Sequence, residues 1–356
     1  NGAAGSNGAA GVGVKVAGIY ATIVNSGTIR GGSGWDAQSS QGNAIQVSAL
    51  GGRIINSGTI AAGSGASTAV LYQAGANNAQ FEMQNGSTIT GNVDARAINS
   101  ATLVVGTGVL TQGTFNVSAI GTQYLGFNSF VKEGANNTLT LTASNSGFTP
   151  WMINEGILAI SNDNQLGASS NALTFGSKAG NTGTLKVNNS TLSSRNIVLL
   201  DNGSINVASA QTYRNSAVVS GAFDLTKQGD GTLTLAGANA YTGATNVTSG
   251  TLALADVGSI AQSSQVVLSS GSSALDISGT TSGATVNNLS GVAGAQVALG
   301  SQILAVNSNA DTTYAGAISG SGGLTKNGNS TLTLKGLAAY TGATNVTSGT
   351  LALADV

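Results

Sequence analysis

Cysteine and histidine are both absent from this 356-residue sequence. Without cysteine there is no disulfide framework and no thiolate metal site. Without either residue, Ser-His-Asp and Cys-His arrangements are excluded, as are zinc sites built on the usual ligands. Charge is scarce as well: 7% of residues are Asp, Glu, Lys or Arg, against roughly 25% in an average soluble domain. The 12 basic and 13 acidic residues give a net charge of -1 and form no basic stripe, so no nucleic-acid partner is expected. No apolar run reaches the roughly 18 residues of a membrane-spanning helix. Proline occurs once, at Pro150, and aromatics make up 4%, which predicts a narrow core of aliphatic side chains. The start, Asn1-Gly2-Ala3-Ala4, does not have the pattern of a secretion signal. For an exported protein, that signal is expected to have been removed or to lie outside this sequence.

What the chain has instead is glycine, 53 residues of it, with Ser, Thr, Asn and Gln in place of surface charge. Leu, Ile and Val recur throughout, so the sequence is not a Gly/Ser linker, which buries too little apolar area to offset chain entropy. The local period is two. Thr232-Leu233-Thr234-Leu235, Thr251-Leu252-Ala253-Leu254, Thr184-Leu185-Lys186-Val187 and Ser204-Ile205-Asn206-Val207 alternate polar and apolar, the pattern of half-buried strands. Gly, Asn, Asp and Ser punctuate them as turn residues, and no long 3.6-residue periodicity predicts a helix. Strands this short cannot bury a face alone, but stacked coils can, each strand pairing with the coil above and the coil below.

Repeats support this architecture. The 17 residues Tyr241–Val257 recur unchanged as Tyr340–Val356, 99 residues later. Upstream, Leu225-Thr226-Lys227-Gln228-Gly229 matches Leu324-Thr325-Lys326-Asn327-Gly328, and Thr232–Leu235 matches Thr331–Leu334. A degraded copy runs from Lys132-Glu133-Gly134 through Thr138-Leu139-Thr140-Leu141 to Glu155-Gly156-Ile157-Leu158. Nearer the start, Asn25-Ser26-Gly27-Thr28-Ile29 returns as Asn56-Ser57-Gly58-Thr59-Ile60 and loosely as Asn85–Ile89. The reading is an N-terminal zone, 1–129, and a longer-repeat zone, 130–356, in one continuous stack. In each Gly-Thr-Leu the glycine is expected to take a positive-φ corner, the β-branched threonine to start a strand and the leucine to face the core.

The run Lys227-Gln228-Gly229-Asp230-Gly231-Thr232-Leu233-Thr234-Leu235, followed by Asn239-Ala240-Tyr241-Thr242-Gly243 and Gly250-Thr251-Leu252, resembles the passenger-associated transport repeat of bacterial autotransporters. Residues 324–356 resemble it with departures: Ser330 stands at the second glycine and Ala338 at the asparagine. Residues 130–160 match less well, with Phe148 and Trp151 around the turn. Ala274–Thr280 also looks like autotransporter passenger sequence. The resemblance implies an all-β, right-handed parallel β-helix (a β-solenoid) in one elongated rod, exported and displayed at the bacterial surface through a C-terminal outer-membrane β-barrel that this sequence does not include. It also implies coils of roughly 20–25 residues. With strands about 4.8 Å apart, that gives about 14–18 coils and a rod about 65–85 Å long.

Candidate sites are few. Two facing carboxylates suffice for glycoside hydrolysis, and some β-helix proteins cleave polysaccharides. Here Asp201, Asp224, Asp230, Asp276 and Asp311 stand apart beside Gly, Asn or Ser and read as turn carboxylates. Gly31-Gly32-Ser33-Gly34-Trp35-Asp36 resembles half of a calcium-binding nonapeptide, but Gln38 holds the apolar position and no tandem copy follows, so it reads as a Gly-rich turn. Gly8–Gly13 lacks the lysine and helix of a phosphate loop. Tyr20, Trp35, Tyr72, Trp151, Tyr213 and Tyr314 are candidate carbohydrate contacts and more often corner fillers. Asn25 and Asn56 predict a stacked amide ladder. Asn116, Asn137 and Asn246 fit glycosylation sequons without needing that role. No catalytic, cofactor or metal residues are assigned, and the chain is not expected to be an enzyme.

The expected function is extracellular adhesion, toward a second copy of itself (aggregation, biofilm) or toward a host or abiotic surface. The alternatives are a stalk, fibre or surface-layer component, and a polysaccharide-active enzyme. Open strand edges are expected only at the two ends of the solenoid. The last coil, Gly349–Leu353, is an interior-type repeat, so a further coil is expected to stack there in a longer parent, and the sequence alone is expected to fray over Ala338–Val356 or associate end to end.

Overall fold

A computed structural model describes residues 11–33, 42–108, 112–178 and 180–354. The described residues form short strands joined by turns, with two 3-10 turns, Val117–Ala119 and Asp163–Leu166, as the only helical elements. Strand pairing is parallel between successive coils; one antiparallel hairpin, Ser177–Lys178 with Asn181–Val187, stands apart. This is a β-solenoid of about 14 turns. Contacts divide it into two compact units, Asn1–Met152 with Asn164–Ala168, and Ile153–Asp163 with Ser169–Val356.

In the first unit, the central sheet runs Thr22–Asn25, Arg53–Asn56, Ala79–Gln84, Ala101–Thr107, Ser129–Lys132. A second sheet runs from Val14–Val16 to Tyr124–Leu125, and a third stacks Thr28–Arg30, Thr59–Ala61 and Thr88–Thr90. The third sheet stops there, and Gln112–Asn116 with Thr138–Thr142 forms another. Asn25 pairs with Asn56, 31 residues on. That coil is longer than expected because residues 31–44 lie between the strands Thr28–Arg30 and Ile45–Val47. The core is also not purely aliphatic. Phe115 stacks near Tyr124 (5.8 Å between centroids) and edge-on to Trp151 (6.4 Å), while Phe130 lies 5.7 Å from Trp151.

The second unit has a sheet of ten parallel strands, from Gly156–Ile160 and Asn181–Val187 through Leu225–Gln228 and Thr245–Val247 to Thr331–Leu334 and Thr350–Leu353. A second sheet starts at Thr191–Ser193 and runs through Thr232–Leu235 and Gly250–Asp256 to Ala338–Tyr340. A third starts at Ala284–Asn287 and continues with Leu304–Asn307, Leu324–Asn327 and Thr344–Val346. Sheets therefore begin inside the unit, and open edges are not confined to its ends as the sequence reading expected. A strand pairs only where the coil below also presents extended backbone, and turns there leave an edge.

The period-two register holds. Leu233, Leu235, Leu252, Leu254 and Leu332 are fully buried, and Leu334 nearly so. Leu353 departs from the expectation: it is 76% exposed, and Leu351 is half-buried. Both keep the register, pairing with Leu334 and Leu332, but no strand among the described residues stacks on their other side.

Candidate functional site

Each of the three repeat copies contains one lysine in the core: Lys132, Lys227 and Lys326 are at most 1% exposed. Burying an ammonium is costly unless it is hydrogen-bonded. Lys227 Nζ donates to the carbonyls of Gln228 (2.8 Å), Gly229 (2.6 Å) and, from the next coil, Ser249 (3.1 Å). Lys326 Nζ donates to Asn327 (2.8 Å), Gly328 (2.9 Å) and Ser348 (3.2 Å). Lys132 Nζ reaches the carbonyls of Glu133 (2.8 Å) and Gly134 (3.2 Å). The ammonium thus collects the carbonyls of its own turn, and Lys227 and Lys326 also tie that turn to the following coil.

Glycine permits this corner. Gly134, Gly229 and Gly328, two residues after each lysine, have φ of 99°, 72° and 81°, and the closing Gly156, Gly250 and Gly349 have φ of 66°, 64° and 69°. At Gly250, an added Cβ would lie 2.4 Å from Gly229 O and 2.5 Å from Gly231 O, so both the turn and its packing require glycine. Burial pushes the Lys227 ammonium down to about 8, with Asp230 acting in the opposite direction. Lys326 is also shifted down by burial.

The repeat tyrosine closes the corner. Tyr241 hydroxyl and Thr245 Oγ1 are 2.6 Å apart, and Thr245 Oγ1 donates to Ser263 Oγ (2.8 Å), which in turn donates to Gly243 O (2.9 Å). Tyr340 and Thr344 repeat the 2.6 Å contact in an exposed setting.

Other buried polar groups are similarly occupied. Asn25 Nδ2 donates to Asn56 Oδ1 (2.7 Å) and Asn56 Nδ2 to Ser87 Oγ (2.7 Å), which is the predicted ladder. A second ladder, not anticipated, links Asn327 to Asn307 and Asn307 to Asn287, each at 3.2 Å and 20 residues apart. Arg195, 1% exposed, pairs with Asp163 (3.0 Å) and donates from Nη1 to Asn171 O (2.6 Å).

The turn-carboxylate reading fits the geometry. Asp201, Asp224, Asp276 and Asp311 each accept a backbone N–H, from Asn202 (2.7 Å), Ala244 (2.7 Å), Ser278 (2.8 Å) and Thr331 (2.7 Å). Asp230 lies close enough to Lys227 for its charge to act on the ammonium. Tyr72, Trp151, Tyr213 and Tyr314 are buried, whereas Tyr20 is exposed. Of the sequon asparagines, Asn137 is buried, Asn116 caps the turn at Ser118 N (3.0 Å) and Asn246 is half-buried. Trp35, Asp36 and Gln38 of the calcium-like segment, and Gly8 to Ala10 of the Gly-rich start, lie outside the described residues. Among the described residues, no group of three or more Asp, Glu, His or Cys is placed to hold a metal ion.

Two clefts among the described residues bear on catalysis. One, of about 280 Å³ in the first unit, is lined by Met83, Gln84, Phe115, Asn137 and Leu139 among others, with no carboxylate. The other, of about 360 Å³ in the second unit, lies between Asp256–Ser259 and Ser282–Thr285 and has one carboxylate, Asp256, which is ion-paired with Arg214. Neither offers the facing pair that glycoside hydrolysis needs.

The sequence reading quoted the repeat lysines but did not place them inside. Their signal was the recurrence of lysine two residues before a glycine at every copy, in a chain with so few charges.

Comparison with known proteins agrees with this geometry. The family model of the passenger-associated transport repeat matches residues 130–160, 225–254 and 324–353, so each match contains one buried lysine. A curated relative, named "Adhesin BmaC autotransporter", from Brucella suis biovar 1 (strain 1330), is 36% identical over 234 residues, covering 60% of this chain and 6% of the relative. The chain thus spans a small part of the length of that relative. No solved structure matches significantly. The chain is folded as a β-solenoid and carries three passenger-associated transport repeats, and over 234 residues it is similar to an autotransporter.

Proposed function

We propose that this chain is an adhesive region of a passenger displayed at the bacterial cell surface, without enzymatic activity. The observation that carries this reading is the similarity to an autotransporter named as an adhesin. The surface chemistry supports it. Charge is only 7% of the sequence, and outward strand positions carry Thr and Asn, such as Thr184, Thr226 and Asn246 in one sheet. Such a face repels a like surface little and offers hydrogen bonds at the strand spacing of about 4.8 Å. The non-enzymatic reading rests on carboxylates such as Asp201, Asp224, Asp276 and Asp311, which accept backbone N–H groups, and Asp163 and Asp256, which are ion-paired.

The test is display of this chain on cells that lack other adhesins. Attachment to host cells or abiotic surfaces, or settling of the cells by self-association, is the expected result. Unchanged attachment and settling, with the chain detected at the surface, would reject adhesion and leave the stalk reading.

A further inference from the structure

The cleft of the second unit lies where a sheet begins. Strand Ala284–Asn287 is paired on one side only, with Leu304–Asn307, in register from Ala284 opposite Leu304 to Asn287 opposite Asn307. In a parallel strand, the N–H and C=O of one residue point to the same side, and successive residues alternate sides. Ala284 N–H donates to Ile303 O (3.0 Å) and Asn288 N–H donates to Asn307 O (2.9 Å). Ala284, Val286 and Asn288 therefore face the coil above, while Thr285 and Asn287 face the other way. At Asn287 that side is closed by its own side chain, whose Nδ2 donates to Ala261 O (2.9 Å) and Ser263 O (2.7 Å). At Thr285 it is open: its backbone N–H and C=O have no partner among the described residues.

The opposite wall turns away from Thr285. Ser259 N–H donates downward to Gly237 O (3.2 Å), its carbonyl accepts from Asn239 N–H (3.1 Å), and Gly258 N–H is bonded to Ala255 O (2.8 Å). One end of the cleft is held where Thr281 N–H and Oγ1 both donate to Asp256 O (2.9 and 3.0 Å). Between the walls is a slot of about 360 Å³. Its rim carries two exposed aliphatic side chains, Val257 (67%) and Ile303 (54%). The Asp256 charge is met by Arg214, so the slot is close to neutral.

We propose that this slot is a binding site for an extended, uncharged peptide segment, which adds to the open edge at Thr285 as a short strand. A peptide backbone supplies the donor and acceptor that Thr285 lacks, at strand spacing, and its alternate side chains meet Val257 and Ile303. Asp256 and Arg214, already paired, select against a charged segment. The site is independent of the adhesion reading and stands or falls on its own measurement.

The probe is a fluorescein-labelled acetyl-Ser-Val-Ser-Val-Ser-Val-amide peptide titrated into the whole chain, alongside the same peptide N-methylated at alternate residues and a neutral glucan hexasaccharide. The variant is Thr285→Pro, which removes an N–H that makes no bond in the fold, a substitution an edge strand tolerates; circular dichroism checks that it is folded. The expected result is saturable binding of the first peptide, at least tenfold weaker in the variant, and none of the other two. Amide exchange on the unsubstituted chain gives a second readout: Thr285 exchanges fast between slow Ala284 and Val286, and slows when the peptide is added. Absent peptide binding, equal binding by the folded variant, binding of the hexasaccharide instead, or a Thr285 amide already as slow as its neighbours would overturn the proposal.

Discussion

Lys227 and Lys326 stand 99 residues apart in near-identical sequence, lie in different sheets and yet hold equivalent sets of three carbonyls. Lys227 belongs to the ten-stranded sheet and Lys326 to the sheet that begins at Ala284. The repeat therefore defines a corner rather than a position on one face of the solenoid. Local sequence sets that corner: lysine, then a positive-φ glycine, then a Ser-Gly-Thr-Leu turn one coil on.

Replacing Lys227 with Met keeps the length and apolar stem but leaves three part-buried carbonyls without this donor. A buried acceptor left unsatisfied costs about 1–3 kcal/mol, partly offset here by no longer burying a charge. Lys227→Met is expected to destabilise the chain by about 3 kcal/mol. Lys335→Met, at an exposed position, should change stability by about 0.5 kcal/mol or less. Urea midpoints of the two variants decide this; equal midpoints would mean that the ammonium contributes little.

The same lysines set a pH dependence. Lys227 loses its proton at about 8 when folded, against 10.5 when unperturbed, so between those values the unfolded chain binds more protons. Stability is then expected to rise from about pH 8 toward pH 10. Above about 10 the direction reverses, because burial raises the folded-state pKa of the tyrosines, to about 12 for Tyr124 and Tyr213 and higher still for Tyr72, Tyr241 and Tyr314. These remain protonated in the fold while the unfolded chain ionises. Denaturation midpoints from pH 7 to 11 should peak between about 9 and 10, and the rise should shrink in Lys227→Met. A midpoint that falls steadily from pH 8 would contradict the assignment.

Identical sequence in two settings gives a test of register. Leu254 and Leu353 occupy the same place in the 17-residue repeat, one fully buried and the other 76% exposed. Leu254→Asp is expected to unfold neighbouring coils, since an unpaired buried charge costs several kcal/mol. Leu353→Asp should be nearly neutral, and amides of 340–354 should exchange faster than those of 241–255. Similar losses from both substitutions would reject the assigned stacking.

Much of this was legible because it is local. Thr232-Leu233-Thr234-Leu235 declares its inward face by alternation, Gly250 its corner by lacking a Cβ, and Asn25 and Asn56 their ladder by recurring at matched places. The unread features depend on neighbouring coils. Lys227 reads as a surface residue until Ser249 O, a full coil later, completes its hydrogen-bonding shell. The ring cluster of Phe115, Tyr124 and Trp151 brings together residues that lie far apart in sequence. The open edge at Thr285 arises because the coil below turns at Gly258 and Ser259, a fact that the strand's own residues do not carry.

The central claim is that each passenger-associated transport repeat closes around a buried ammonium. Lysine labelling of the folded chain with an amine-reactive ester, read residue by residue by mass spectrometry, tests it most directly. Lys15, Lys178, Lys186 and Lys335 are expected to react, and Lys132, Lys227 and Lys326 to stay unmodified until the chain is denatured. Labelling of those three at the rate of Lys335 in the folded chain would contradict the account.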